Sequence, residues 1–202
     1  MTENNKRLSH KVPDWMSDVV HSNYTNPIPK PTIFSVTELI GCIKQSLQYR
    51  DPITFPKSQT VLDKWIFTRG RLFHTFFTNN IYYEFKRPFI LNNITYHVVG
   101  HPDFIQGNDI YELKTIGGFL SPDKLPYDEN VLQLQAYDTL NDLKFNKLFL
   151  VYVGMSDWCT IEVEKKDQTL FLLKNLQLLT KCLDEKRFPT PDEHSCHWCG
   201  KD

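Results

Sequence analysis

The spacing of hydrophobic residues divides the chain into helical and strand-forming segments. Apolar residues recur at helical spacing within residues 36–50, 58–79, about 130–143 and about 168–186. Between residues 82 and 115 the pattern changes to short β-rich runs separated by Asn-Asn and Gly-Asn pairs, which predict an antiparallel meander. Two more strands are predicted at 147–154 and 158–165. This order of elements predicts an α/β fold in which helices flank one central mixed β-sheet.

Local signals support two of the predicted helices. Ser35 is followed three residues later by Glu38, which is typical of a capping box at a helix start. The last predicted helix has a stripe of leucines at helical spacing that predicts a core-facing side: Leu172, Leu176, Leu179 and Leu183. Residues 1–31 are polar and interrupted by prolines, so we expect an arm without its own core, followed by a single domain at 32–202.

Composition sets limits but does not select a function. A chain of 202 residues that is 41% hydrophobic can bury one good core. The first residues carry no apolar run of the kind a signal peptide needs, and no stretch is apolar enough to span a membrane, so we expect an intracellular, cytoplasmic protein, in the host cytoplasm if the source is viral. The net charge of −1 counts mildly against nucleic-acid binding, although a local basic groove can coexist with acidic metal ligands.

The most informative residues are Asp103, in the run GHPDF, and Glu112 and Lys114, in the run DIYELKT. Strand alternation puts Glu112 and Lys114 on one face, and Asp103 can reach that face from the neighbouring strand. Two carboxylates and an ammonium suit phosphodiester hydrolysis, because carboxylates hold Mg²⁺ or Mn²⁺ and the metal polarises the phosphoryl group. Taken alone, a Glu-x-Lys pair is more often an ordinary surface pair.

Flanking motifs strengthen the catalytic interpretation. Gly70 and His74 form a G-x-x-x-H motif on the helix upstream, and Gln133 and Tyr137 form Q-x-x-x-Y on the helix downstream. In the order G-x-x-x-H, G-x-x-D, E-x-K and Q-x-x-x-Y, the motifs resemble the RecB-like, CRISPR-associated exonuclease branch of the PD-(D/E)xK nuclease superfamily. The resemblance covers about residues 35–199 and implies a restriction-endonuclease-like core.

The resemblance also implies roles for individual residues. Asp103, Glu112 and Lys114 would be catalytic, with His74 and the main-chain carbonyl of Leu113 joining the two carboxylates as metal ligands. Gln133 and Tyr137 lie one helical turn apart, so both could contact DNA or position Lys114. His101 is a secondary ligand candidate, since alternation puts it on the same face as Asp103.

The implied substrate is DNA. Lys64, Arg69 and Arg71 lie on the His74 helix as candidate phosphate contacts, and further basic residues lie nearby in sequence: Lys44, Arg50, Lys86 and Arg87. Without a global positive charge, binding through a local groove with aromatic stacking suits a single strand or a free end better than a duplex. Strand opening would then need a helicase or another replication or recombination protein as a partner.

The cysteines suggest a second metal centre. In the resembling family, one cysteine near the first helices and three near the C-terminus hold an iron–sulfur cluster, and Cys42, Cys196 and Cys199 match three of these positions. The chain ends before a last family cysteine would appear, so the fourth ligand would be Cys182, or His194 or His197. This makes residues 182–202 a candidate cluster tail. Zinc and a metal-free tail are the alternatives.

The sequence therefore predicts a metal-dependent deoxyribonuclease acting in replication, recombination or repair. A non-catalytic nucleic-acid-binding or assembly subunit with a nuclease fold is the alternative from another functional class. A zinc-stabilised interaction protein in which the Glu-x-Lys pair is accidental is the third interpretation.

Overall fold

The helices and strands below come from a computed structural model, which describes residues 29–56, 61–78, 81–118, 121–154 and 156–193. The helices are α1 Val36–Ile40, α2 Ile43–Arg50, α3 Val61–Thr78, α4 Asp128–Leu140 and α5 Thr169–Asp184. The strands are β1 Ile33–Ser35, β2 Phe85–Leu91, β3 Ile94–Gly100, β4 Phe104–Gln106, β5 Asp109–Thr115, β6 Lys147–Val153 and β7 Trp158–Val163. The predicted α/β class is confirmed. Most of the predicted arm at 1–31 lies outside the described residues.

Two mixed sheets lie at the centre of the fold. The first has the order β1-β3-β2, with β1 parallel to β3 and β2 antiparallel to it. The second has the order β4-β5-β6-β7, in which only the β5–β6 pair is parallel. Because parallel neighbours need a crossover connection, α4 carries the chain from the end of β5 back to the start of β6.

The single sheet and the continuous meander predicted for residues 82–115 are wrong. The β2–β3 and β4–β5 hairpins belong to different sheets. Between them lies the short segment His101-Pro102-Asp103, and a proline has no N–H with which to continue a ladder. The chain leaves the first sheet at Gly100 and enters the second at Phe104, so Asp103 lies at the boundary between them.

The single helix predicted at 36–50 is also divided in two. The capping box at its start is confirmed: the Glu38 N–H donates to Ser35 Oγ at 3.2 Å, and the Ser35 N–H donates to Glu38 Oε2 at 2.7 Å. The first helix stops at Gly41, whose N–H donates to the Thr37 carbonyl, and Cys42 has extended backbone angles before α2 begins. The other predicted helices are present with shifted ends.

The core lies where α1, α2, α4 and α5 cover the sheets. The predicted leucine stripe of α5 is largely confirmed, since Leu172, Leu176 and Leu179 are fully buried, whereas Leu183 is only half-buried. Cys182, next to it, is fully buried instead. Among the described residues, no helix is long and apolar enough to cross a bilayer.

Arg50 ties the N-terminal elements together. Its Nε lies 2.6 Å from Glu38 Oε1, and both side chains are largely buried, with exposed fractions of 5% and 12%. The guanidinium also donates to the carbonyls of Lys30 and Ile33 and lies over the Phe34 ring, 3.6 Å from its centroid. These contacts make Arg50 a structural residue and speak against the phosphate contact considered for it.

Candidate active site

A cleft of about 310 Å³ opens where α3, the end of β3, β5 and α4 meet. Its lining brings together all six polar side chains of the sequence motifs that were predicted as catalytic, metal-binding or supporting residues: His74, Asp103, Glu112, Lys114, Gln133 and Tyr137. These residues span nearly a third of the chain, so the fold has assembled them.

Asp103 takes its place from the β4–β5 hairpin. The last paired residues at this end of the hairpin are Phe104 and Tyr111, so Asp103 lies just past the ladder beside β5. Its Oδ2 accepts a hydrogen bond of 2.7 Å from the Leu113 N–H. Its Oδ1 lies 2.6 Å from His74 Nδ1 on α3. The carboxylate thus joins a sheet edge to a helix.

Glu112 and Lys114 share one face of β5, as alternation predicts. Lys114 Nζ donates to Glu112 Oε1 at 2.9 Å and to Gln133 Oε1 at 2.7 Å. The amide nitrogen of Gln133 donates to Glu112 Oε1 at 2.8 Å and to Tyr137 Oη at 2.5 Å. One glutamine side chain therefore fixes both charged groups and links them to α4.

Glu112 carries a buried charge that its contacts only partly compensate. The residue is 2% exposed, and its Oε2 is buried without a hydrogen-bond partner among the described residues. Burial raises the pKa of Glu112 to about 7, although the nearby Lys114 ammonium acts to lower it. A buried carboxylate in this state is stabilised by an additional cation.

The His74 side chain is set by its pairing with Asp103. The hydrogen bond to Asp103 raises the pKa of the imidazole, and partial burial opposes that change. In the absence of a metal, the imidazolium form therefore persists to higher pH than for a free histidine.

The glycine of the G-x-x-D motif has a packing role. A Cβ on Gly100 would lie 2.5 Å from Cδ1 and 2.9 Å from Cε1 of the Tyr137 ring, which is closer than carbon atoms can approach. Tyr137 is itself buried, and burial raises the pKa of its phenol well above the usual value, so the hydroxyl stays protonated. Two of the sequence motifs are thus in direct contact. By contrast, a Cβ on Gly70 would meet no atom within 4 Å.

The donor chemistry of the cleft fits a hard divalent cation. Two carboxylates and an imidazole line the same space, and Glu112 Oε2 is unpaired. Within the described ranges, no three histidine, cysteine, aspartate or glutamate side chains form a preassembled ligand set. The Leu113 N–H contacts Asp103, and the role of the Leu113 carbonyl as a metal ligand stays a prediction.

The residues predicted to contact DNA have different surroundings. Gln133 and Tyr137 are buried, and their hydrogen bonds fit the positioning alternative, while their contact with DNA stays a prediction. Arg71 is exposed on α3. The side chain of Arg69 lies outside the part of the chain that is described.

The cleft also has residues at its rim that sequence reasoning weighed little or missed. His101, the secondary ligand candidate, lines the cleft, and its Nε2 lies 3.1 Å from Glu84 Oε2. Ser35 and Thr37, at the start of α1, were missed. The capping box had marked Ser35 as a helix start, but no local pattern shows that this start faces a strand about 65 residues away.

The structure places only part of the predicted cluster. Cys42 and Cys182 are buried, and burial raises the pKa of the Cys182 thiol. Cys159, half-buried in β7, packs against the core. The remaining candidates lie outside the described residues: His194, Cys196, His197 and Cys199. The iron–sulfur cluster and the zinc site stay predictions.

Comparison with solved structures shows a likeness in fold. Neither a protein-family model nor a curated protein matches the chain. A crystal structure of SSO0001 is similar, with a TM-score of 0.61 and 17% sequence identity, covering 87% of this chain and 88% of that one. At this identity the likeness concerns the fold alone. The chain and SSO0001 therefore share an α/β architecture over most of their lengths.

Proposed function

We propose that this protein is a metal-dependent DNA nuclease with a restriction-endonuclease-like core, similar to the RecB-like branch of the PD-(D/E)xK superfamily. The observation that supports it best is the buried Glu112 carboxylate, which lies against Lys114 in the same cleft as Asp103 and His74. A charge that is expensive to bury is typical of functional sites.

Three side chains would hold the metal: Asp103, Glu112 and His74. Mg²⁺ or Mn²⁺, when bound, supplies charge that polarises the phosphoryl group and favours hydroxide formation at neutral pH. Glu112 is suited to this role because its unpaired Oε2 gains a partner. Asp103 is suited because the Leu113 N–H already fixes its orientation.

Lys114 acts on the reacting groups. An ammonium has three donors, and the contacts to Glu112 and Gln133 use two of them. The third can bind a phosphate oxygen or orient the attacking water, and the ammonium charge stabilises negative charge that develops in the transition state.

Gln133 and Tyr137 position Lys114 and Glu112. Gln133 offers its oxygen to the ammonium and its nitrogen to the carboxylate, so the glutamine holds the two groups at a fixed separation. Tyr137 accepts the remaining N–H of that amide. Because catalytic geometry tolerates little displacement, this support would affect the rate more than DNA affinity.

The proposed substrate is single-stranded DNA or a free end, since the chain has a net charge of −1 and exposed aromatic side chains near the cleft. The test is cleavage of end-labelled single- and double-stranded DNA with Mn²⁺, Mg²⁺ or EDTA. We expect metal-dependent cutting that Asp103→Ala and Lys114→Ala each reduce by at least about 100-fold.

Lys147→Ala is the matched control for Lys114→Ala, because this exposed lysine on β6 is paired with Glu162 and lies outside the cleft. It should cut like the wild type. Failure of a folded wild-type protein to cut any DNA with either metal would contradict the proposal. DNA binding without cutting would favour the non-catalytic subunit.

A further inference from the structure

A second cavity lies behind the candidate active site. Its volume is about 180 Å³, and its lining is almost entirely apolar: Phe77, Phe104, Tyr111, Leu113 and Val151, with Asp103 at its edge. Along β5, Tyr111 and Leu113 alternate with Glu112 and Lys114, so the cavity and the cleft lie on opposite faces of that strand.

The two spaces meet at Asp103, which lines both. Helix α3 also borders both, because His74 lines the cleft and Phe77, three residues later, lines the cavity. A flexible ligand with one group in the cleft can therefore place its next group in the cavity by passing Asp103.

The walls suit a flat aromatic ligand. Phe104 and Tyr111 have ring centroids 5.9 Å apart, and Tyr111 stacks on Phe149 at 4.9 Å. Phe77 and Phe104 remain 47% and 37% exposed, so their rings have surface left to cover. An engineered apolar cavity of roughly 150 Å³ binds benzene, so a cavity of this size can take one ring system.

We propose that this cavity binds one nucleobase of a single-stranded substrate, stacked against Phe77 and Phe104, while the adjoining phosphodiester lies beside Asp103 in the cleft. The identity of the phosphate site rests on the proposed function. A base in a duplex is already paired and stacked, so the cavity selects unpaired nucleotides.

The test compares binding of two fluorescent probes of equal length in EDTA, by anisotropy: a short thymidine oligonucleotide and an abasic deoxyribose-phosphate chain. The wild type should bind the thymidine probe about 5- to 100-fold more tightly, the range expected for stacking of one base. Phe77→Ala and Phe104→Ala should each narrow this ratio at least about 5-fold and leave the affinity for the abasic probe unchanged.

Two further variants make the result specific. Phe104→Leu keeps apolar bulk but removes the ring, and it should narrow the ratio as Phe104→Ala does. Phe188→Ala removes an aromatic side chain that is 39% exposed and packs against Phe55, outside the cavity lining, and it should keep the wild-type ratio.

Equal or unmeasurable binding of both probes by the wild type would overturn the proposal, and so would an unchanged ratio in the Phe77 and Phe104 variants. If the wild type does not discriminate between the probes and the Phe77 and Phe104 variants change their oligomeric state, the cavity is a contact between copies of the chain. That result would also overturn the base-binding proposal. Because binding is measured without metal, base discrimination by a protein that cuts no DNA would reject the nuclease proposal and keep this one.

Discussion

Replacing Glu112 with glutamine should stabilise the metal-free protein at alkaline pH. The carboxylate is 2% exposed, and burial raises its pKa from 4.5 to about 7. The folded state therefore binds the proton more tightly than the unfolded state does. This stability is fully present below pH 4.5 and is lost as the pH rises through 7. In a neutral glutamine the titration is absent.

The magnitude follows from the two pKa values. One pKa unit corresponds to about 1.4 kcal/mol, so a pKa of about 7 in place of 4.5 corresponds to a full cost of about 3 kcal/mol. Between pH 5 and pH 8, the wild type should lose about 2–3 kcal/mol of its free energy of unfolding through Glu112. Glu112→Gln should lack this loss, so the stability difference between variant and wild type should shift in favour of the variant by that amount.

The assay is urea unfolding in EDTA at both pH values, followed by circular dichroism. Glu162→Gln, which changes an exposed carboxylate on β7, serves as the control and should keep the wild-type pH dependence. Mn²⁺ should raise the stability of the wild type at pH 8 and affect Glu112→Gln less, because the metal binds the charged carboxylate. Parallel pH dependence of the wild type and Glu112→Gln would refute the reasoning that this charge is costly to bury.

Three further changes test the supporting structure. Gly100→Ala forces a methyl group against the Tyr137 ring and should lower the free energy of unfolding, measured with urea, by about 1–3 kcal/mol. Combined with Tyr137→Ala, the loss in the double variant should be smaller than the sum of the two single losses. A loss equal to that sum would count against the contact. Arg50→Ala removes the ion-pair partner of the buried Glu38 and should lower the free energy of unfolding by about 3–5 kcal/mol in the same assay. Arg50→Lys should not restore this stability fully, because an ammonium lacks the planar guanidinium that also covers Phe34. A loss below about 1 kcal/mol in Arg50→Ala would argue against a stabilising buried pair. Gln133→Leu should lower kcat for DNA cleavage about 10- to 100-fold with little change in KM, whereas a change confined to KM would indicate direct DNA contact.

The sequence alone determined the local parts of the site. Alternation along β5 placed Glu112 and Lys114 on one face, and the 2.9 Å contact between them confirms it. The hairpin signal brought Asp103 beside β5, and the capping box located the start of α1. These features depend on neighbours in sequence, where backbone geometry leaves few alternatives.

Only the tertiary structure determined the features that depend on residues far apart in the sequence. The hydrophobic pattern of residues 36–50 continues through Gly41, so only packing could divide that helix. Strand patterns do not specify partners, so the split into two sheets at Pro102 went unpredicted. The sequence is compatible with either DNA contact or support of Lys114 by Gln133, and only the burial of this side chain against Glu112 favours support. The pKa of Glu112 likewise depends on desolvation, a property of everything packed around the carboxylate, which no local sequence pattern can specify.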